Sequence, residues 1–193
     1  MPGIYDRQEK LELNLPEKIA VVGVGGVGFW VGLLSALSGV KQIILIDEDY
    51  IEETNLNRLP LPISAIGRKK VDVARELIIK LRPDAIVFAY PQKFFPPMVS
   101  SVNVIIDCTD DINAQRELYK FASENRITFV RAGYDGVHIT LANKVSQWGE
   151  GDGRYTVVPS WICPAVNLAT LVVGKMMKYP DFEFSGDFIK EEK

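Results

Sequence analysis

Four short clusters in this sequence carry residue types that do chemistry. Gly23-Val24-Gly25-Gly26-Val27-Gly28 has the G-x-G-x-x-G spacing and follows directly on the mostly β-branched run Ile19 to Val22. Glycines so spaced allow a tight turn, the approach of a phosphate to backbone, and close packing of a helix on a strand, while the helix N-terminus adds amide donors and partial positive charge. Asp47 closes the next apolar run, where a carboxylate is placed to accept hydrogen bonds from ribose hydroxyls. The context implies nucleotide binding; the alternative is that the glycines merely relieve crowding. Which nucleotide stays open at this point.

The second cluster is Asn55-Leu56-Asn57-Arg58 and the third is Arg68, Lys69 and Lys70. Cations in the first turn of a helix oppose its dipole, so Arg68 to Lys70 read poorly as helix stabilisers and better as a triphosphate clamp; a solvated charge run is the alternative. The fourth cluster, Asp107-Cys108-Thr109-Asp110-Asp111, closes a short apolar run. Two carboxylates there could hold Mg²⁺ together with phosphate oxygens and water, and Asp110 or Asp111 also suits an N-cap for the helix that follows.

Strands and helices must alternate to position these clusters. Apolar runs predict strands at Ile19 to Val22, Gln42 to Ile46, Ala85 to Ala89, Val104 to Ile106, Ile127 to Ala132 and Val137 to Val145. Helices are expected from about Val27 to Ser38, stopped by Gly39, from Gly67 to Leu81, stopped by Pro83, from Ile112 to Asn125, and from Ala165 to Met177 behind Cys163 and Pro164. Ile51 to Ile66 and Gly149 to Arg154 read as loops, and Phe182 to Lys193 as a tail. The pattern predicts an α/β, Rossmann-like, doubly wound and mostly parallel sheet with helices on both faces and an antiparallel C-terminal extension. In such sheets the site lies at the carboxyl ends of the strands, where all four clusters fall.

Composition narrows the classes further. With 193 residues, 47% hydrophobic and 24% charged, disorder and collagen-like repeats are excluded, and the expectation is one domain over 1–193 with an N-terminal arm at 1–15. A net charge of −3 without a long basic run offers no electrostatic reason to expect nucleic acid or an anionic membrane as the main partner. Ile19 to Val40 holds no charged residue, yet its glycines favour a strand turning into a helix over a membrane span. Cys108 and Cys163 form no C-x-x-C pair, so no structural zinc is expected, and the low cysteine count fits the cytoplasm. Cys163, ahead of Pro164 and a helix, is either a thiol acidified by the helix N-terminus or a packing residue. Cys108 reads as structural, and the single histidine, His138, is given no role.

The ordered set Gly23-x-Gly25-Gly26-x-Gly28, Asp47-Glu48-Asp49, Asn55-Leu56-Asn57-Arg58, Gly67-x-x-Lys70 and Asp107-Cys108-Thr109-Asp110 resembles the ThiF/MoeB/HesA adenylyltransferases, relatives of the ubiquitin-activating enzymes. Tyr5-Asp6-Arg7-Gln8 is similar to that family's opening motif. The resemblance implies a nucleotide site of the glycine turn, Asp47 on the ribose with Asp49 beside it, Asn55, Arg58 and Lys70 on the phosphates, and Asp110 on Mg²⁺. It implies a catalytic set of Arg7, Arg58, Lys70 and Asp110, with Arg7 acting as an arginine finger in the neighbouring subunit of a homodimer. The implied reaction uses ATP to activate the C-terminal glycine carboxylate of a small ubiquitin-like or sulfur-carrier protein as an acyl-adenylate. Phe94 and Phe95, beside Pro96 and Pro97, are candidates for carrier contact or for core packing. The sequence departs from the family pattern at Leu59, where Gln is common, at Asp111, where Asn is usual, and in having no paired C-x-x-C motifs. Three other readings stand beside this one: a non-catalytic pairing subunit of the same fold, an NAD-binding oxidoreductase, and an adenylating enzyme acting on a modified tRNA base.

Overall fold

A computed structural model describes residues 3–11, 13–145, 159–178 and 184–187. After a short helical turn, α1 (Asp6–Glu9), the chain runs β1 (Lys18–Val22), α2 (Gly28–Leu37), β2 (Gln42–Ile46), α3 (Lys70–Leu81), β3 (Ile86–Tyr90) and β4 (Val104–Asp107). It continues through α4 (Ile112–Asn125), β5 (Thr128–Tyr134), β6 (His138–Ala142), α5 (Ile162–Lys178) and β7 (Phe184–Asp187). The strands form one sheet in the order β3-β2-β1-β4-β5-β6-β7. The first five are parallel and the pairs β5 with β6 and β6 with β7 are antiparallel, so the Rossmann-like sheet with an antiparallel C-terminal extension is what the chain adopts.

Alternation along β1 shows why both faces need cover. Ile19 and Val21 join one core with Val31 and Leu33 of α2, Val71 and Ile78 of α3, and Leu168 and Val172 of α5. Ala20 and Val22 point the other way, into a smaller core with Leu118 and Ala122 of α4 and with Val99 of a 3-10 turn, Pro96–Val99. The central strands are apolar on both sides because neither face meets water. The expected uncharged stretch is therefore β1, the glycine turn and α2, and no helix among the described residues is long and apolar enough to cross a membrane.

Helix ends explain two differences from expectation. At the α2 end, Gly39 takes φ +101°, and the amides of Gly39 and Val40 donate back to the carbonyls of Ala36 and Ser35, a Schellman ending as anticipated. α3 starts at Lys70, not Gly67: Gly67 sits at φ +82°, and the Ile51 amide donates to the Arg68 carbonyl at 2.8 Å, so Arg68 and Lys69 lie in extended chain beside Tyr50 and Ile51. The argument that three cations oppose a helix dipole therefore applies to Lys70 alone. α5 starts at Ile162, three residues earlier than expected, because a proline is tolerated in the first helical turn, where its missing N–H costs no hydrogen bond. The 149–154 loop and most of the 182–193 tail lie outside the described residues, although 184–187 adds β7 to the sheet.

Candidate functional site

The chain leaves β1 toward β2 on one side and continues from β4 toward β5 on the other, so the β1–β4 boundary is the sheet's switch point. The glycine turn sits there. Gly23 has φ +83°, and a Cβ on it would lie 2.8 Å from the Cys108 carbonyl carbon, so the turn after β1 and the loop after β4 touch backbone to backbone. A side chain on Gly28 would overlap the Gly23 carbonyl oxygen, which is the close packing of helix on strand that the motif predicts. Gly25 faces open space, leaving its backbone accessible.

Asp47 closes one side of the turn. Its Oδ2 accepts the Val24 amide at 2.6 Å and its Oδ1 accepts the Asp49 amide at 2.8 Å, joining the end of β2 to the glycine turn. Lys70 follows from this: its backbone amide donates to the Asp49 carbonyl at 3.1 Å and its ammonium reaches the Asp49 carboxylate at 2.7 Å. The Lys70 side chain is 12% exposed and that of Asp49 63% exposed, so the cation is held in from solvent at the rim of the turn.

Arg58 closes the other side. A Cβ on Gly26 would meet Arg58 Cδ at 3.0 Å and the Tyr134 hydroxyl, which places both side chains against the turn. The Arg58 loop is held by a 3-10 turn, Glu53–Asn55, in which buried Asn55 accepts the Glu52 amide at 3.2 Å, and by the Trp30 indole donating to the Arg58 carbonyl at 2.8 Å. Arg58 itself donates to the Thr54 carbonyl at 2.7 Å and to Asn57 Oδ1 at 2.9 Å. Tyr134 hydrogen-bonds Ser160, whose carbonyl accepts from Asn57 at 2.8 Å, so the start of α5 is tied to the same loop. Tyr134 and Ser160 were not singled out from sequence, because their contact spans 26 residues and neither carries a local signal.

The acidic cluster after β4 divides its labour. Asp107 is fully buried and Arg131, its register partner on β5, is 3% exposed. Burial raises the Asp107 carboxyl above its ordinary value, against the lowering effect of Arg131 and of hydrogen bonds from Thr109. With Asp107 sealed in beside Arg131 and Thr109, Asp110 is the carboxylate of the expected pair that stays open to solvent. Asp111 is the N-cap of α4, accepting the Asn113 amide at 2.8 Å. Asp110 is exposed and makes no hydrogen bond or ion pair with the described residues. It follows directly on the loop against Gly23. One free carboxylate beside a phosphate site is a donor set that Mg²⁺ accepts, since that ion takes one or two carboxylates with phosphate oxygens and water.

Arg68 pairs with Glu76 at 2.5 Å, and Lys69 lies over the Tyr50 ring at 3.7 Å while donating to the Glu48 carbonyl. Arg7 lies far from its own chain's turn. α1 is docked on the C-terminal end of α2 through Tyr5 to the Ala36 carbonyl and Gln8 to the Ser38 carbonyl, and α2's ten residues put about 15 Å of helix between that end and the glycines. Burial, with the Asp107 carboxylate next in importance, pushes the Cys108 thiol up, consistent with a structural residue, and Cys163 is an exposed residue of the first turn of α5. His138 pairs with Asp135 at 3.0 Å. Phe94 packs against the smaller core, whereas Phe95 is 58% exposed.

Arg58 and Tyr134 at Gly26, Asp47 at Val24 and the Cys108–Thr109 backbone at Gly23 thus gather on the glycine turn, with Lys70 joined to the Asp47 end through Asp49. tRNA threonylcarbamoyladenosine dehydratase of Haemophilus influenzae is 32% identical over 124 residues, 61% of this chain and 48% of that protein. The sulfur carrier protein ThiS adenylyltransferase of Escherichia coli is 30% identical over 118 residues, 58% of this chain and 46% of that protein. The crystal structure of E. coli MccB with succinimide shares the fold, with a TM-score of 0.78 over 97% of this chain and 72% of that one at 17% identity. The chain spans about half the length of the curated relatives it matches. The ThiF family profile matches residues 4–147, with its glycine turn, its Asn55–Arg58 loop, Lys70 and Asp110 all inside that span, and the chain belongs to the ThiF family.

Proposed function

We propose that this chain is an adenylyltransferase that uses ATP and Mg²⁺ to activate a carboxylate. A carboxylate oxygen attacks the α-phosphorus, the bond from that phosphorus to the bridging oxygen breaks, and an acyl-adenylate and pyrophosphate result. The attacking carboxylate is already ionised at neutral pH, so no general base is required. The work left to the protein is to bring two anions together and to stabilise charge on the leaving group. Arg58 and Lys70, with Asn55, would hold the phosphates, Asp47 the ribose, and Asp110 the magnesium ion, which neutralises phosphate charge when bound. Arg7, remote from its own site, would serve the second subunit of a homodimer.

The observation that carries this reading is convergence on one turn: Arg58 lies against Gly26, Asp47 holds Val24, and the loop leading to Asp110 lies against Gly23. An NAD-binding oxidoreductase would use the turn and Asp47 but leaves Arg58, Lys70 and Asp110 without a task. The favoured substrate is the C-terminal glycine of a small ubiquitin-like or sulfur-carrier protein, in line with the similarity to the ThiS adenylyltransferase. Similarity to a tRNA threonylcarbamoyladenosine dehydratase supports a second substrate, the threonyl carboxylate of a modified tRNA base, against which the net charge of −3 weighs.

ATP–pyrophosphate exchange tests both. Exchange stimulated by Gly-ending carriers supports the first substrate, and exchange stimulated only by threonylcarbamoylated tRNA selects the second. Tight ATP binding with no exchange under either condition replaces the enzyme with a non-catalytic pairing subunit.

A further inference from the structure

We infer that Arg131 is a positioning residue: through Asp107 it holds the loop that carries Asp110, and so governs how this chain engages a nucleotide-bound magnesium ion. The inference rests on the reading above of Asp110 as the carboxylate that meets that ion.

Arg131 and Asp107 face each other in the parallel register of β5 and β4, 3% and 0% exposed. Their nearest charged atoms, Nε and Oδ2, stand 3.6 Å apart, and neither has a hydrogen-bond partner. The guanidinium grips backbone instead: Nη1 donates to the Asp107 carbonyl at 3.2 Å and to the Ala132 carbonyl at 2.7 Å. Asp107 Oδ1 accepts from the Thr109 amide at 2.9 Å and from the Thr109 hydroxyl at 2.7 Å, and the Cys108 amide donates to the Val22 carbonyl at 2.8 Å. Three consecutive residues are therefore anchored, and the next one is Asp110, which makes no such bond.

Stability alone is a poor reason for this arrangement. A buried ion pair roughly breaks even against an apolar replacement, and one whose facing atoms miss hydrogen-bond geometry does worse. What it supplies is direction. Magnesium tolerates little departure from octahedral geometry, so a carboxylate offered from a short loop helps only if that loop is held to within about half an ångström. The anchored loop lies against Gly23, so the same clamp sets the distance between Asp110 and the phosphate-binding turn.

The test is the double variant Asp107→Asn with Arg131→Met, which removes the buried charge from both sides while the introduced amide keeps an acceptor for Thr109. Binding of a non-hydrolysable ATP analogue is measured calorimetrically with and without Mg²⁺, beside Asp110→Asn and the unaltered chain. The Mg²⁺-dependent gain in affinity is expected to fall at least about tenfold, toward that of Asp110→Asn, while metal-free affinity stays within about twofold. Tm is expected to move by only a few degrees. A folded double variant with an unchanged Mg²⁺ gain overturns the inference, as does an equal loss with and without metal, which would make the pair a support of the whole turn. If the unaltered chain itself shows no Mg²⁺-dependent gain, the reading of Asp110 falls and this inference with it.

Discussion

The ends of β2 and β4 flank the same glycine turn and both close in aspartates, yet the fold treats them differently. At the β2 end, Asp47 is half-buried and bound to backbone amides of Val24 and Asp49, and Asp49 is neutralised by Lys70 at the surface. At the β4 end, Asp107 is sealed in with Arg131, and Asp110 is left exposed. In each, the aspartate nearest the strand organises backbone and a later one meets solvent. The contrast lies in charge. The β2 end carries its own cation, whereas the outward carboxylate at the β4 end has none among the described residues, which is why the proposed metal ion is assigned to that side of the turn. Residue type at a strand end is thus a weak guide to role; what neutralises it decides.

The largest effect that would test this contrast is on stability at the β4 end. Arg131→Met alone leaves a buried, unpaired carboxylate and should cost about 3–5 kcal/mol in chemical denaturation. The penalty should shrink in acid. Burial already raises the Asp107 carboxyl in the folded state, so its contribution to stability is fully present below the unfolded value and is lost as pH rises through the folded one. A penalty that grows as the pH is lowered would contradict this account. Next, Asp110→Ala should lower pyrophosphate exchange by roughly a hundredfold to a thousandfold. Its unfolding free energy should stay within about 0.5 kcal/mol of the unaltered chain, because Asp110 is exposed and free of protein partners among the described residues. Full exchange in that variant would remove the β4 end from the site. Asp111→Ala, one position on, should instead cost about 1 kcal/mol of stability through loss of the α4 cap. Lys70→Met should cost at most about 1 kcal/mol of stability, because Asp49 is well solvated and needs no partner, while exchange should drop. If Lys70→Met unfolds the protein as Arg131→Met does, the two strand ends are not the different devices described.

Much of this was legible before the fold. The limits of β2 match the expected Gln42 to Ile46, those of α4 match Ile112 to Asn125, and Gly39 ends α2 as foreseen. Such signals are short-range: an apolar run bounded by charge, or a glycine where φ must turn positive. The starts of α3 and α5 differ from expectation for local reasons too: Gly67 takes a positive φ ahead of α3, and Pro164 sits inside the first turn of α5. Arg131 carries a visible sequence signal, a lone charge inside the run Ile127 to Ala132, where burial demands a partner.

By itself, then, the order of residues determined the strand, turn and helix alternation and the set of polar clusters at strand ends, because backbone torsion and hydrophobic periodicity act over a few neighbours. Which acid organises backbone and which stays open, that Tyr134 and Ser160 close over the turn, and that Arg7 lies a helix length away from it were decided only in the folded molecule. Those outcomes depend on strand register and on contacts across tens of residues, where a charge is stabilised or stranded by groups that no local stretch of sequence contains.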